Sequence, residues 1–222
     1  MDLIFALPQI KQPADQLHWG NLQGAALPLA IAQLIEQQPA PYLLLVPDTP
    51  TALRLEQELS VFCQHADCPL LSLPDWETLP YDVFSPHQDI VSQRLKTLHQ
   101  LPGLRQGLVI VPVSTLLLRL CHPDYLAQHS FLINKGQKVD LTALKQKLIA
   151  VGYRAVEQVM EHGEFSARGS ILDLYPMGAS SPFRIDFFDD EVDGIRTFDP
   201  DNQRSLALVD AIELLPAHEF PT

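Results

Sequence analysis

The spacing of apolar positions changes character part-way along the chain. Residues 25–37 (AALPLAIAQLIEQ) carry a helical stripe, with Pro28 tolerable in a first turn. Residues 42–46 (YLLLV) form a short unbroken apolar run, as expected of a strand buried on both faces. Residues 49–62 then predict a helix with Thr49 as N-cap, Pro50 at the first helical position and Leu53, Leu55, Leu59 and Phe62 as its stripe. A strand over 69–73 precedes a loop rich in proline and aromatic residues at 74–86. A helix follows over 90–99, with Arg94 and Lys96 expected on its exposed face. Residues 107–113 (GLVIVPV) read as another buried strand, and Ser114 as N-cap of a helix through TLLLRL. Strand and helix alternating in this order imply a parallel sheet with crossover helices.

Beyond one amphipathic helix at 140–150 the period falls to two, with strands predicted near 153–159, 170–175, 183–188 and 194–198. Turn residues separate them: Gly163, Gly169, Pro176-Met177-Gly178, Asp189-Asp190 and residues 199–202. From roughly 130 to 210 this predicts a small, mainly antiparallel sheet with one helix. Residues 214–222 read as a linker or a returning strand, as though the chain were cut from something longer. Within the strand at 183–188, residues two apart share a face. Phe183, Ile185 and Phe187 therefore face one way, and Arg184, Asp186 and Phe188 the other. Arginine beside an outward aromatic is the composition of a protein-docking surface. The plainer reading is that Phe188 covers the sheet end or packs under a loop.

Charge narrows the function. The 222 residues carry a net charge of −12. Residues 151–222 hold five arginines, no lysine and fourteen acids, whereas 131–150 hold four lysines against one aspartate. Affinity for duplex nucleic acid rests largely on neutralising phosphates, so an acidic chain is expected to bind DNA weakly or not at all by itself. No apolar run is long enough to span a membrane. The first residues lack the basic start and cleavage site of a signal peptide. Three cysteines without framework spacing suit a reducing compartment, so a cytoplasmic location is expected. Cys63, His65 and Cys68 lack a fourth ligand and are read as ordinary residues.

Catalytic constellations are weak. Before the first helix, a phosphate loop would need two glycines, a lysine and a hydroxyl. Residues 21–28 (NLQGAALP) place Asn21 and Ala26 at the glycine positions, Leu27 at the lysine and Pro28 at the hydroxyl, with Gly24 between. Leucine cannot pair with phosphate charge, and proline offers neither an N–H nor a metal ligand. This is either no phosphate loop or one stripped of its chemistry. Residues 161–164 (EHGE) read as a polar turn between strands, and Asp189-Asp190-Glu191 as a hairpin turn. No active site, cofactor or metal is expected.

The disabled loop, DWETLPYDVFSPHQDIVSQRL, ARGSILDLYPMG, PFRIDFFDDEVDGIRTFDP and the closing LLPAHEFPT together resemble the N-terminal region of the bacterial transcription-repair coupling factors. That region is homologous to the excision-repair subunit UvrB. The resemblance implies an α/β fold: a degenerate helicase-like parallel-sheet lobe over 1–125, a small mainly antiparallel α+β UvrA-binding domain over 126–210, and at 211–222 the start of a segment returning to the first lobe. It implies recruitment of UvrA to stalled transcription complexes by mimicry of UvrB, without ATP hydrolysis in this fragment. RNA polymerase and double-stranded DNA would be met by segments beyond it, where the family carries an ATP-dependent translocase.

Carried onto this sequence, the UvrA-binding positions are Arg168, Arg184 and Phe188, with Arg196 a neighbour. The competing reading of the arginines is pairing with nearby acids; that of Phe188 is core packing. UvrB also carries a DNA-clamping hairpin just after its equivalent of residues 81–84. Here the sequence runs directly through residues 85–89 into a helix, so the clamp is expected to be absent. The alternatives are an active nucleotide-hydrolysing UvrB-type fragment and a purely structural packing module.

Overall fold

A computed structural model describes residues 16–63, 69–78 and 85–220. In chain order the elements are α1 (Ala26–Gln37), β1 (Pro41–Val46), α2 (Thr49–Phe62), β2 (Leu70–Ser72), α3 (Gln88–Gln100), β3 (Gly107–Pro112), α4 (Val113–Leu116), α5 (Pro123–His129) and β4 (Phe131–Asn134). There follow α6 (Leu141–Ala150), β5 (Arg154–Ala155), β6 (Glu164–Arg168), β7 (Ile171–Leu174), β8 (Phe183–Phe188), β9 (Glu191–Phe198), β10 (Ser205–Val209) and β11 (Ala211–Leu214). Contacts divide the described residues into two compact units, one of residues 16–63, 69–75 and 103–117, the other of 76–78, 85–102 and 118–220. Residues 76–78 and 85–102, placed by sequence in the first lobe, thus group with the second unit, and so do 211–220.

In the first unit β1, β3 and β2 form a parallel sheet in that order. Its core joins Ile31 and Ile35 of α1 to Leu55 and Leu59 of α2 and Leu108 and Ile110 of β3. The central strand β3 is buried along its whole length. The sequence reading of β1 as buried on both faces needs correction, because β1 is an edge strand with Leu43 and Leu45 60% and 48% exposed. The cap of α2 is also corrected. Asp48 is the N-cap, accepting from the Thr51 N–H at 2.8 Å, and Thr49 lies inside the helix. Asparate outranks threonine for this role, and its carboxylate also suits the helix N-terminus. Ser114 does not cap a helix through TLLLRL. The single turn α4 has Pro112 at its N-cap without a side-chain bond, and Leu117 is left 84% exposed. An uncapped turn with no surface to cover its leucines does not propagate.

The second unit is built on a six-stranded sheet ordered β10-β9-β8-β7-β6-β5, antiparallel except for β5 beside β6. A separate two-stranded ribbon joins β11 to β4. Asp140 caps α6 through the amides of Thr142 and Ala143. The strand expected over 153–159 shrinks to β5, since beyond it the chain wraps around the Glu164 carboxylate. The helix expected over 90–99 is α3, but Arg94 is not on its exposed face. It is fully buried, donating to Glu219 from Nε at 2.6 Å and Nη2 at 3.2 Å, with its guanidinium 4.1 Å above the Trp76 ring. Tyr153 adds a second tie, donating to the Leu215 carbonyl at 2.9 Å and accepting from the Met177 amide at 3.2 Å.

Candidate functional site

The six-stranded sheet has two chemically different faces. Strand register puts Phe165, Leu172, Leu174, Ile185, Phe187 and Ile195 on one face, all of them buried. The other face carries a row across the sheet of Ser166, Asp173, Arg184, Arg196 and Leu208. Beside it runs a second row of Arg168, Ile171, Asp186 and Gly194. Phe188 stands at the end of β8 on this same face, 79% exposed. Core packing, the competing reading of Phe188, is therefore excluded. The β8–β9 register shifts between Asp186 and Phe187, and the hairpin closes at Asp189 with φ +57°. Aspartate tolerates that left-handed conformation, which explains the acid at the turn.

The open face is an alternation of opposite charges. Arg184 grips Asp173 with two parallel bonds, Nε to Oδ1 at 2.7 Å and Nη2 to Oδ2 at 2.9 Å. It also donates from Nη1 to the Gln203 carbonyl at 3.2 Å and lies 4.9 Å above the Phe198 ring. The bond to Asp173 raises the Arg184 guanidinium above its ordinary range, against an opposing effect of burial. Arg168 approaches the same carboxylate, Nη2 to Oδ2 at 3.5 Å, while its side chain stays 61% exposed. Arg196 bonds Asp186, and its Nε is buried without a partner among the described residues. The intramolecular pairing weighed from the sequence is thus present for all three arginines. It is tight for Arg184 and loose for Arg168.

Asp173 was missed by sequence reading. Its signal was a lone acid in the apolar run ILDL, alternate positions of which must face away from the core. Ile171 and Leu208, 36% and 78% exposed, extend the apolar part of the face.

The remaining sequence candidates lie elsewhere. Asn21 and Gly24 sit in the turn before α1 with φ of +60° and +55°. Ala26 opens the helix, Leu27 packs against the first unit's core and Pro28 is buried. Residues 161–163 form the expected turn into β6, Gly163 at φ +79°. Glu164 is a buried structural carboxylate. Burial would raise its pKa, but the Met160 and Glu161 amides, each at 2.9 Å, and Arg154 at 2.6 Å outweigh that and hold it low. His65 and Cys68 lie outside the described residues, as do residues 81–84, on which the expected absence of the clamp falls. Among the described residues no cluster suited to a metal ion occurs, and no helix is long and apolar enough to cross a membrane.

Residues 131–220, which include the whole of this face, match the UvrB interaction domain. The chain is 53% identical over 94% of its length to the transcription-repair-coupling factor of Escherichia coli, covering 18% of that protein. The chain belongs to the transcription-repair-coupling factor family. Relatives in this family include the factor of Haemophilus influenzae, 49% identical over the full chain and 19% of its own length. That of Bacillus subtilis is 29% identical over 90% of the chain and 17% of its own length. The chain thus spans about a fifth of the curated relatives it matches. The α/β architecture with a small α+β unit read from the sequence agrees with the observed sheets.

Proposed function

We propose that this chain is a recruitment module that docks UvrA through the open face of its six-stranded sheet, standing in for UvrB. The observation that carries the reading is Phe188, a large aromatic left 79% exposed on a face shared with Arg168, Arg184 and Arg196, inside a UvrB interaction domain. Phenylalanine gains most when it enters a desolvated pocket, and arginine forks recognise carboxylates. UvrA docking would bring excision repair to a stalled transcription complex. RNA polymerase and duplex DNA would be engaged by segments outside this chain.

In this reading the fragment carries no nucleotide hydrolysis. Leu27 and Pro28 fill the lysine and hydroxyl positions of a phosphate loop, and both are turned to packing. The segment boundaries proposed are a helicase-like lobe over 1–125, the UvrA-binding domain over 126–210 and a returning segment from 211.

Titration of purified UvrA against wild type, Phe188→Ala and Arg168→Ala tests the docking. Each substitution is expected to cost about 2 kcal/mol of affinity with little change in stability. Equal binding by wild type and Phe188→Ala, or no binding by wild type, would overturn the assignment. Arg184→Ala is a poorer probe, because it would leave Asp173, only 3% exposed, without its bidentate partner.

A further inference from the structure

We propose that Asp173 is a positioning residue of the docking face: it holds Arg168 and Arg184 together, so that both meet one acidic side chain of the partner. The inference rests on the docking reading and deepens it.

The geometry is unusual for a stabilising ion pair. Asp173 is almost fully buried, and one oxygen, Oδ2, receives Nη2 of Arg184 at 2.9 Å and Nη2 of Arg168 at 3.5 Å. Two guanidinium groups from different strands converge on a single carboxylate. Directly across the sheet, Arg184 pairs in register with Arg196, and like charges so placed repel. Asp186 meets Arg196 on that side. Asp173 and Asp186 answer these three arginines, and the register sets Glu191 opposite Phe188 on the same face, so the strand charges there balance. A buried ion pair by itself is weak evidence for stability, since apolar groups of similar volume often serve as well. A fork locked in place is, however, what bidentate recognition of a carboxylate needs.

Arg184 uses Nε, one Nη1 hydrogen and one Nη2 hydrogen internally, so one hydrogen on each terminal nitrogen remains for a ligand. Arg168, bound loosely and largely exposed, supplies the mobile half of the grip. The partner group of this chemistry is an aspartate or glutamate of UvrA. Phe188 supplies the apolar anchor beside it.

The test compares binding kinetics of the full chain to immobilised UvrA for wild type, Asp173→Asn, Arg184→Gln, the double variant Asp173→Asn with Arg184→Gln, and Phe188→Ala. Removing the aspartate adds net positive charge, so association with an acidic site should be unchanged or faster. Lost positioning should speed dissociation about tenfold. A merely structural role would lower the fraction of active protein and leave both rate constants alone. Asp173→Asn is further expected to add less in the Arg184→Gln background than in wild type, because only its loose hold on Arg168 is then left to lose. An unchanged dissociation rate in folded Asp173→Asn would overturn the proposal. If that variant does not fold, Arg184→Lys, which keeps the charge and loses the fork, must show the same faster dissociation, or the proposal falls. Should Phe188→Ala also bind as wild type, the docking reading itself fails. A defect in Phe188→Ala alone removes only the role of Asp173.

Discussion

Arg94 and Glu219 stand 125 positions apart in sequence and meet as a bidentate pair with side chains 0% and 1% exposed. The pair ties α3 to the last described residues of the second unit, and Trp76 closes over the guanidinium. A buried pair of this kind need not be the most stable solution, yet removing one partner strands the other charge without water. Glu219→Ala is therefore expected to destabilise the second unit by about 3–5 kcal/mol. Urea unfolding followed by the fluorescence of Trp76, in a Trp19→Phe background that silences the first unit's tryptophan, would measure it. The double replacement Arg94→Met with Glu219→Leu should recover much of the loss. A single variant as stable as wild type would show that water reaches the site.

The first unit has its own weak point at the start of β3. Gly107 has φ +129°, and a Cβ there would lie 2.5 Å from the Pro69 carbonyl oxygen. That oxygen already accepts the Leu108 N–H at 2.9 Å, so the neighbour cannot retreat without breaking the β2–β3 ladder. Gly107→Ala is expected to cost about 1–3 kcal/mol. The loss should appear in the exchange protection of β3 amides, while those of β8 and β9 stay as in wild type.

What was legible in the sequence was whatever depends on near neighbours. The alternation over 183–188 placed Phe188 on the outer face because strand period is local, and the structure leaves it exposed. Asp189-Asp190 marked a turn for the same reason. Arg94 was misplaced because its partner is 125 residues away, and helical periodicity cannot report a charge buried against a distant acid. β6 was overlooked since EFSAR mixes an acid, a serine and an arginine among two apolar residues, its burial being set by β7 and by the ring of donors around Glu164. β1 read as central because an apolar run cannot reveal that one edge lacks a neighbour. On the docking face, the residue types were visible, but Asp173 as the common acceptor was not, because it joins strands whose register only folding sets.

The turn before α1 makes a prediction about nucleotides. A phosphate-binding helix start needs a lysine reaching the β- and γ-phosphates and a hydroxyl for magnesium. Leu27 instead packs into the first unit's core and Pro28 is buried in the first turn. Titration of the chain with a fluorescent ATP analogue and Mg²⁺ is expected to show no saturable binding. Saturation at micromolar analogue, competed by ATP, would revive the hydrolase alternative.

Glu164 predicts how the second unit responds to acid. Burial works against its charge, but two backbone amides and Arg154 prevail, so its carboxyl is held below the ordinary range. A carboxyl with a lowered folded-state pKa binds protons more readily when unfolded. Its contribution to stability is complete above the unfolded value, about 4.3, and is lost as pH falls through the folded one. Glu164→Gln keeps the side-chain shape and accepts fewer charge-assisted bonds. The stability gap between wild type and Glu164→Gln should be constant near pH 7 and narrow as pH drops below about 4.3. Urea midpoints at matched ionic strength from pH 7 to 3 would follow it. A gap that stays level across that range would mean that the carboxylate is not what the Met160 and Glu161 amides require, and that shape alone holds the loop.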